Sequence, residues 1–388
     1  MSYCKICGEY ECKEHTVLLG KVREVKDFSG SSPPEVFVGR WNYPNVYVGI
    51  LSPEEYGDTK IMSSAKEWHA RRLPIPNIIS LRNKLIYGRM QSNIKKAVLG
   101  TKFLSVLQEV AMTSRPVCAE FKLKKPVKKN DEAESRVPLI AHVGEVDMVR
   151  LEENPRVDKK VDYLVNDSDV KSVDAMIELE KGGIDSSSLV KLLSAGLLGL
   201  KKNRKLVPTR WSIVAVDDSL SKEKLDRVRY YSLLSGIEVF HSEYLGNHYE
   251  FLLLPEKYSF EVIEISMKNF GVWQDYEGFF PRKKYADNVT GAYYANRLAL
   301  MEYLDKIKRQ AQCVVFREIR PEYYAPMGVG ILREASREAF KGKGERFESV
   351  GRALGAINGR LRMGVGMFKD KSWILKNYGI QKKIGDWI

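Results

Sequence analysis

Ile237-Glu238-Val239-Phe240-His241-Ser242-Glu243-Tyr244, followed by Leu245-Gly246-Asn247-His248 and then Tyr249-Glu250-Phe251-Leu252-Leu253-Leu254, is the stretch on which the fold class rests. It reads as two strands, Ile237 to Tyr244 and Tyr249 to Leu254, joined as a hairpin with Gly246-Asn247 at the turn. A third strand-like run, Ser259 to Met267, follows. Asn288 to Arg309 then reads as a long helix with Leu300, Tyr303, Leu304 and Ile307 on one face, and Gln312 to Ile319 as a strand. Three further helical stretches lead toward the C-terminus. Strands and helices mix without regular alternation, so the expected class is α+β, or an irregular α/β.

Upstream of the hairpin, Trp211-Ser212-Ile213-Val214-Ala215-Val216 reads as a strand and Ser221 to Leu234 as a helix. The composition changes near Lys201-Lys202-Asn203-Arg204-Lys205. Ser168 to Leu198 reads as two helices split by Gly182-Gly183, with Ser186-Ser187-Ser188 capping the second. Ile140 to Leu151 and Val117 to Leu123 are expected strands, and Lys124 to Arg136 an exposed loop. Thr101 to Met112 places Phe103, Leu104, Leu107, Val110 and Ala111 at helical spacing. Asn77 to Ala97 is an expected helix carrying Arg82, Lys84, Arg89, Lys95 and Lys96. Glu35 to Arg40 and Asn45 to Ile50 form a hairpin across Trp41-Asn42-Tyr43-Pro44, and Phe28 to Pro34 is a loop before it. The expected domains are 1–20, 21–200 and 201–378, with a flexible tail at 379–388.

No apolar run approaches the roughly 18–20 residues that span a bilayer, and the polar start carrying cysteines is no signal peptide. A net charge of +13 points to a polyanion, with nucleic acid first and an anionic membrane surface second. Five cysteines in so long a chain suggest a metal site in a reducing cytoplasm rather than a disulfide scaffold.

Cys4, Cys7, Cys12 and His15 have the spacing C-x₂-C-x₄-C-x₂-H. Four such ligands fit a closed tetrahedral zinc site, so a small N-terminal module with structural Zn²⁺ is expected. Cys118 and Cys313 lie in apolar strand-like runs and are expected in the core. At the other end, Gln381-Lys382-Lys383-Ile384-Gly385-Asp386-Trp387-Ile388 looks like a PCNA-interacting peptide. A 3₁₀ turn would project Ile384 and Trp387 from one side, with Ile388 as a second apolar plug and Gln381 supplying an amide. Tyr378-Gly379 precedes it as a helix stop.

Between these ends several groups suit phosphate or bases. Ser31 and Ser32, in the Ser/Gly loop, with Arg40 after it, would cradle a phosphate through backbone N–H groups. The segment lacks a P-loop ending, and an ordinary turn is the competing reading. Arg210 beside Trp211, Arg282-Lys283-Lys284-Tyr285, Arg297, and Arg333 with Arg337 form a basic and aromatic set suited to phosphate forks and stacked bases. A solvated charged face competes with it. Arg297, at the border of an apolar helix face, requires an anion, either a carboxylate or a phosphate. His241 and His248 would meet across the hairpin, as acid/base groups, phosphate contacts, or polar hairpin residues. Asp217-Asp218, after the expected strand, would hold Mg²⁺ if the protein is catalytic, or cap the next helix.

Taken together, the N-terminal Cys/His cluster, Gly30 to Arg40, Val207-Pro208-Thr209-Arg210-Trp211-Ser212, Gly291-Ala292-Tyr293-Tyr294-Ala295-Asn296-Arg297-Leu298-Ala299 and the terminal peptide resemble the archaeal Nre family. The resemblance spans nearly the whole chain. It implies a cytoplasmic protein working with the PCNA clamp on damaged DNA, and the basic residues add an expectation of binding to DNA or nucleotide phosphates. A second reading is an enzyme acting on DNA ends or nucleotides, for example one removing AMP from an adenylated 5′ end. RNA processing is a third.

Overall fold

The computed structural model describes residues 24–129 and 142–379. The expected zinc ligands and the terminal peptide lie outside the described residues. The fold is α+β, as expected. The chain divides into two compact units, one running to Leu220 and including Tyr324–Ile331, the other comprising Ser221–Tyr323 and the residues from Leu332 on.

The first unit is built on β1 (Asp27–Ser32), β2 (Val36–Val38), β3 (Asn45–Ser52), β4 (Ile86–Asn93), β5 (Val117–Leu123), β6 (Lys128–Lys129) and β7 (His142–Leu151). Their order is β1-β5-β7-β4-β3-β2, with β6 on β7. The sheet is antiparallel except for the β4–β7 pair. Its helices are α1 (Ala65–Ala70), α2 (Ile75–Asn83), α3 (Lys102–Met112), α4 (Lys159–Asn166), α5 (Ser172–Lys181) and α6 (Ser186–Ser194). The amphipathic α3 follows its pattern and buries Leu104, Leu107 and Val110, with Thr101 capping Leu104 N. The cap of α6 is Asp185, which accepts from Ser187 N and Ser188 N, rather than the serines themselves.

Two expectations in this unit are corrected. The Ser/Gly run is strand β1, with Gly30 opposite Ala119. A Cβ on Gly30 would lie 2.1 Å from the Pro53 carbonyl oxygen, so the glycine serves a close backbone approach. The expected helix from Asn77 to Ala97 stops at Asn83 and becomes β4, whose Arg89, Gly88 and Tyr87 pair with Gly49, Ile50 and Leu51.

α7 (Thr209–Val228) replaces the expected strand at Trp211–Val216. Ser212, Val216, Leu220, Lys224 and Val228 are buried at four-residue spacing, a helical stripe that polar residues interrupt. The expected helix from Ser221 is its second half and ends at Val228. Asp217 and Asp218 therefore lie inside a helix and not at a strand's end.

The second unit contains β8 (Ser232–Leu233), β9 (Ile237–Tyr244), β10 (Asn247–Leu254), β11 (Ser259–Ser266), β12 (Val272–Glu277), β13 (Arg309–Gln310), β14 (Gln312–Ile319) and β15 (Glu345–Phe347). Its main sheet has the order β12-β11-β14-β10-β9-β15, with β11 and β14 parallel. The turn between β9 and β10 is Leu245-Gly246, one position earlier than expected. Both residues have positive φ, 51° and 75°, which matches the strand twist in a two-residue hairpin. β10 and β11 are buried along their whole length because helices cover both faces. On one face Val239, Leu252, Ile263 and Phe316 pack against residues of α10 (Val350–Arg360), α11 (Val365–Lys369) and α12 (Trp373–Asn377). On the other, α8 (Gly291–Ile307) sets Tyr293 against Phe260 and Tyr303 against Phe240. The remaining helix is α9 (Val329–Ala339). No helix among the described residues is long and apolar enough to cross a membrane.

Candidate nucleic-acid interface

The connection from β12 to α8, residues 278–290, is held by carboxylates that the end of β12 directs to one side. Asp275 and Glu277 are two residues apart, so they share a strand face. Asp275 accepts from Arg282 Nη1 at 2.6 Å and from Val289 N at 2.6 Å. Glu277 accepts from Arg282 N at 3.0 Å and from the Tyr258 hydroxyl, and takes Arg297 Nη1 at 2.8 and 3.1 Å. Burial, and then the Glu277 charge, push the Tyr258 phenol well above its usual range, so it stays a proton donor.

Arg297 is fully buried on α8, donates its Nε to Ser221 Oγ at 3.0 Å, and lies beside the rings of Tyr293 and Tyr294. The anion it requires is thus a carboxylate, and its expected role as a phosphate ligand is corrected. Arg282 is likewise spent within the protein. Besides Asp275 it donates to the carbonyls of Tyr276, Lys284 and Tyr285, at 3.2–3.3 Å. Tyr294 completes the support by accepting from Ala286 N at 2.9 Å and stacking on Tyr285. Thr290, at φ 63° and ψ −127°, turns the chain into α8; a β-branched residue rarely adopts such a φ.

This bracing leaves a definite outer surface. Lys283 and Lys284 are exposed, and neither has an ion-pair partner among the described residues. Phe280 is 71% and Tyr230 79% exposed, and Tyr285 adds a half-exposed ring. The Arg229 guanidinium sits 5.3 Å from the Phe280 ring and 5.7 Å from Phe279, and is itself paired with Asp226 at 2.7 Å. The surface therefore combines two available ammonium groups with aromatic faces. Asp287 is the exposed carboxylate of the same loop. That combination suits a phosphate backbone with bases beside it.

The histidines lie elsewhere on the sheet. β10 is three strand spacings from β12, about 14 Å, and β9 four, about 19 Å. His241 and His248 therefore lie apart from Arg282, Lys283 and Lys284 rather than joining them in one basic cleft. His241 and His248 do share one face of the hairpin, opposite Glu250 and Glu243 respectively. His248 is buried, with Nε2 2.8 Å from Glu250 and Nδ1 3.4 Å from Glu243. Arg360 grips Glu250 bidentately at 2.7 and 2.9 Å and reaches Glu345 at 2.9 Å; Glu345 lies 3.5 Å from the half-exposed His241. The two imidazoles are thus the ends of a carboxylate–guanidinium chain. Arg333 is buried in α9 and Arg337 pairs with Glu302 and Glu334, so neither presents an open basic surface.

In the first unit, Ser31 Oγ accepts from Gly57 N at 3.0 Å and the Ser31 carbonyl accepts from Thr59 Oγ1. Ser32 is fully buried on β1. Neither serine belongs to an open phosphate loop, which corrects that expectation. Arg40 and Arg210 are exposed. Val38 N donates to Thr209 Oγ1 at 2.9 Å, which brings the start of α7 to the end of β2. Cys313 is buried, as expected, whereas Cys118 is partly exposed beside Ser31. Among the described residues no group of three or more His, Cys, Asp or Glu side chains is arranged to hold a metal ion, Asp217 and Asp218 included.

β12 and the Asp-x-Glu pair that organises the loop are not among the elements expected from the sequence. The signal was present: acids at alternate positions after a run of strands share one face. Their polarity hid the strand.

Residues 1–274 match the family described as "Archaeal Nre, N-terminal", and residues 277–387 match "Archaeal Nre, C-terminal". The chain is 34% identical over 391 residues to "DNA repair protein NreB" of Archaeoglobus fulgidus, covering 99% of this chain and 97% of the relative. It is 34% identical over 369 residues to "DNA repair protein NreA" of the same organism, covering 92% and 91%. Against "DNA repair protein NreA" of Haloferax volcanii it is 32% identical over 375 residues, covering 92% and 88%. No solved structure matches the chain.

Proposed function

The chain belongs to the archaeal Nre family, and from that premise we propose that it is a DNA-repair protein that grips DNA on the 279–285 loop. Relatives matched over nearly the whole chain carry the name of DNA-repair proteins. The observation that carries the binding reading is the division of labour on the loop. Arg282, Arg297, Asp275 and Glu277 satisfy one another inside, while Lys283, Lys284, Phe280 and Tyr285 face solvent. Lysine ammonium groups neutralise phosphates and exposed rings accept unstacked bases. Two further elements complete the proposal. Cys4, Cys7, Cys12 and His15 hold a structural zinc, for which three thiolates and an imidazole are a fitting donor set. Gln381, Ile384, Trp387 and Ile388 dock on the PCNA clamp, which brings the protein to DNA. The K283E/K284E variant tests the binding reading by fluorescence anisotropy with a labelled oligonucleotide. At low salt its affinity falls by about tenfold or more, because phosphate contacts release counterions. Undiminished affinity refutes it.

The histidine chain favours a second reading, hydrolysis of a phosphate adduct at a DNA end. His241 is the solvent-reaching end of that chain. The test is AMP release from 5′-adenylated DNA with Mg²⁺ present, which H241A abolishes if the reading holds.

A further inference from the structure

We propose that the first unit carries a separate site for single-stranded DNA, in which bases stack on Trp41, Tyr43 and Trp211. The inference rests on the DNA-binding reading but on different residues. These three rings are 62%, 51% and 45% exposed. Tyr43 and Trp211 are in contact, with ring centroids 5.3 Å apart, and the Arg40 guanidinium lies 4.7 Å over Trp41. Large rings left clustered in water cost hydration free energy, and a flat partner recovers it.

The platform is held in place rather than loose. Val38 N on Thr209 Oγ1 ties α7 to the strand before the turn. Asn45 N donates to Asn42 O, and Ile94 N to Pro44 O at 3.0 Å. Gln91 and Asn93 on β4 donate to Asn45. Rings fixed before binding lose little freedom when a base lands on them.

Charge identifies the partner. Three sequence segments meet at this surface, residues 36–53, 68–108 and 186–216, and none contains an aspartate or glutamate. Exposed on them near the turn are Arg40, Arg210, Lys95 and Lys96. Aromatic faces flanked by cations, with no carboxylate from these segments, fit a polyanion whose bases are free to stack. A duplex keeps its bases stacked on each other, so the fit is to a single strand. The repair setting makes that strand DNA.

The test is binding of the full chain to labelled oligo(dT), blunt duplex and oligo(U) across a salt series, with W41A, W211A and W41A/W211A. Each single substitution weakens oligo(dT) binding by about tenfold, the effect of losing one base–aromatic stack. The salt slope stays that of the unsubstituted chain, since no phosphate contact is removed, and duplex affinity is unchanged. R40E/R210E instead lowers the slope. These rings are at the surface, and unchanged thermal melting confirms the fold. Oligo(dT) binding by W41A/W211A equal to that of the unsubstituted chain overturns the site. An equal loss on duplex overturns the single-strand assignment, and tighter binding of oligo(U) overturns the assignment to DNA. Because Lys283 and Lys284 remain intact in these variants, failure here while K283E/K284E still loses DNA leaves the loop reading standing.

Discussion

Glu277 is the residue on which the candidate interface depends. It neutralises a fully buried Arg297, receives the Tyr258 hydroxyl and fixes the Arg282 backbone. Removing one partner of such a pair leaves an uncompensated buried charge, whereas removing both does not. E277Q is therefore expected to lose about 3–5 kcal/mol in urea unfolding, and E277L/R297M considerably less. A loss in E277Q below about 1 kcal/mol, the range of exposed pairs, contradicts this account. Asp305 gives a second test at this scale. Burial works to raise its carboxyl, but hydrogen bonds from Arg227, Tyr231 and Lys308 outweigh it and hold the group well below the usual carboxylate range. A depressed folded pKa contributes stability that is full above the unfolded pKa, about 4, and is lost as pH falls toward the folded value. D305N should thus lower Tm clearly near pH 7, and the gap to the unsubstituted chain should narrow steadily below about pH 4. A gap independent of pH excludes the ionised carboxylate as the source.

Elements show where a sequence pattern speaks and where it misleads. At Gly30, a phosphate loop and a close-packed strand predict opposite results. G30A would press a methyl on the Pro53 carbonyl, so stability should fall by about 1–3 kcal/mol or more in chemical denaturation, as overpacked sites do. A variant of normal stability but altered DNA binding restores the loop reading. The strands β9, β10, β11 and β14 were legible as short alternating or continuous apolar runs bounded by turn residues, and the helices α3, α5 and α6 by apolar residues at helical spacing between caps and glycines. α7 was not: Ser212, Asp217, Ser221 and Lys224 are buried within its stripe, and Ile213-Val214-Ala215-Val216 imitates a strand. β1 was hidden by Gly and Ser, which serve close packing there. Of the site, the exposed lysines and the need of Arg297 for an anion could be read. Which anion it takes could not, because Glu277 and Arg297 meet only through pairing of β12 with β11 and the packing of α8.

At the scale of the whole molecule, the +13 charge is shared by both units, and what differs is how carboxylates are spaced along the chain. The second unit buries several of its carboxylates, among them Glu250, Glu261 and Glu318, while residues 36–53, 68–108 and 186–216 of the first unit have none. The proposed clamp tail follows Gly379, whose φ of 74° suits the end of a helix. W387A is expected to remove PCNA binding in calorimetry without changing the melting of the main fold, since a buried Trp anchor typically contributes at least about 2 kcal/mol. Full-strength binding by W387A places the contact elsewhere. The central claim, that DNA is held through the 279–285 loop, is tested most directly by the salt dependence of affinity. Log K against log salt should be less steep for K283A/K284A than for the unsubstituted chain, by about one per lysine removed. Parallel lines for the two proteins would contradict the assignment of these lysines to phosphate.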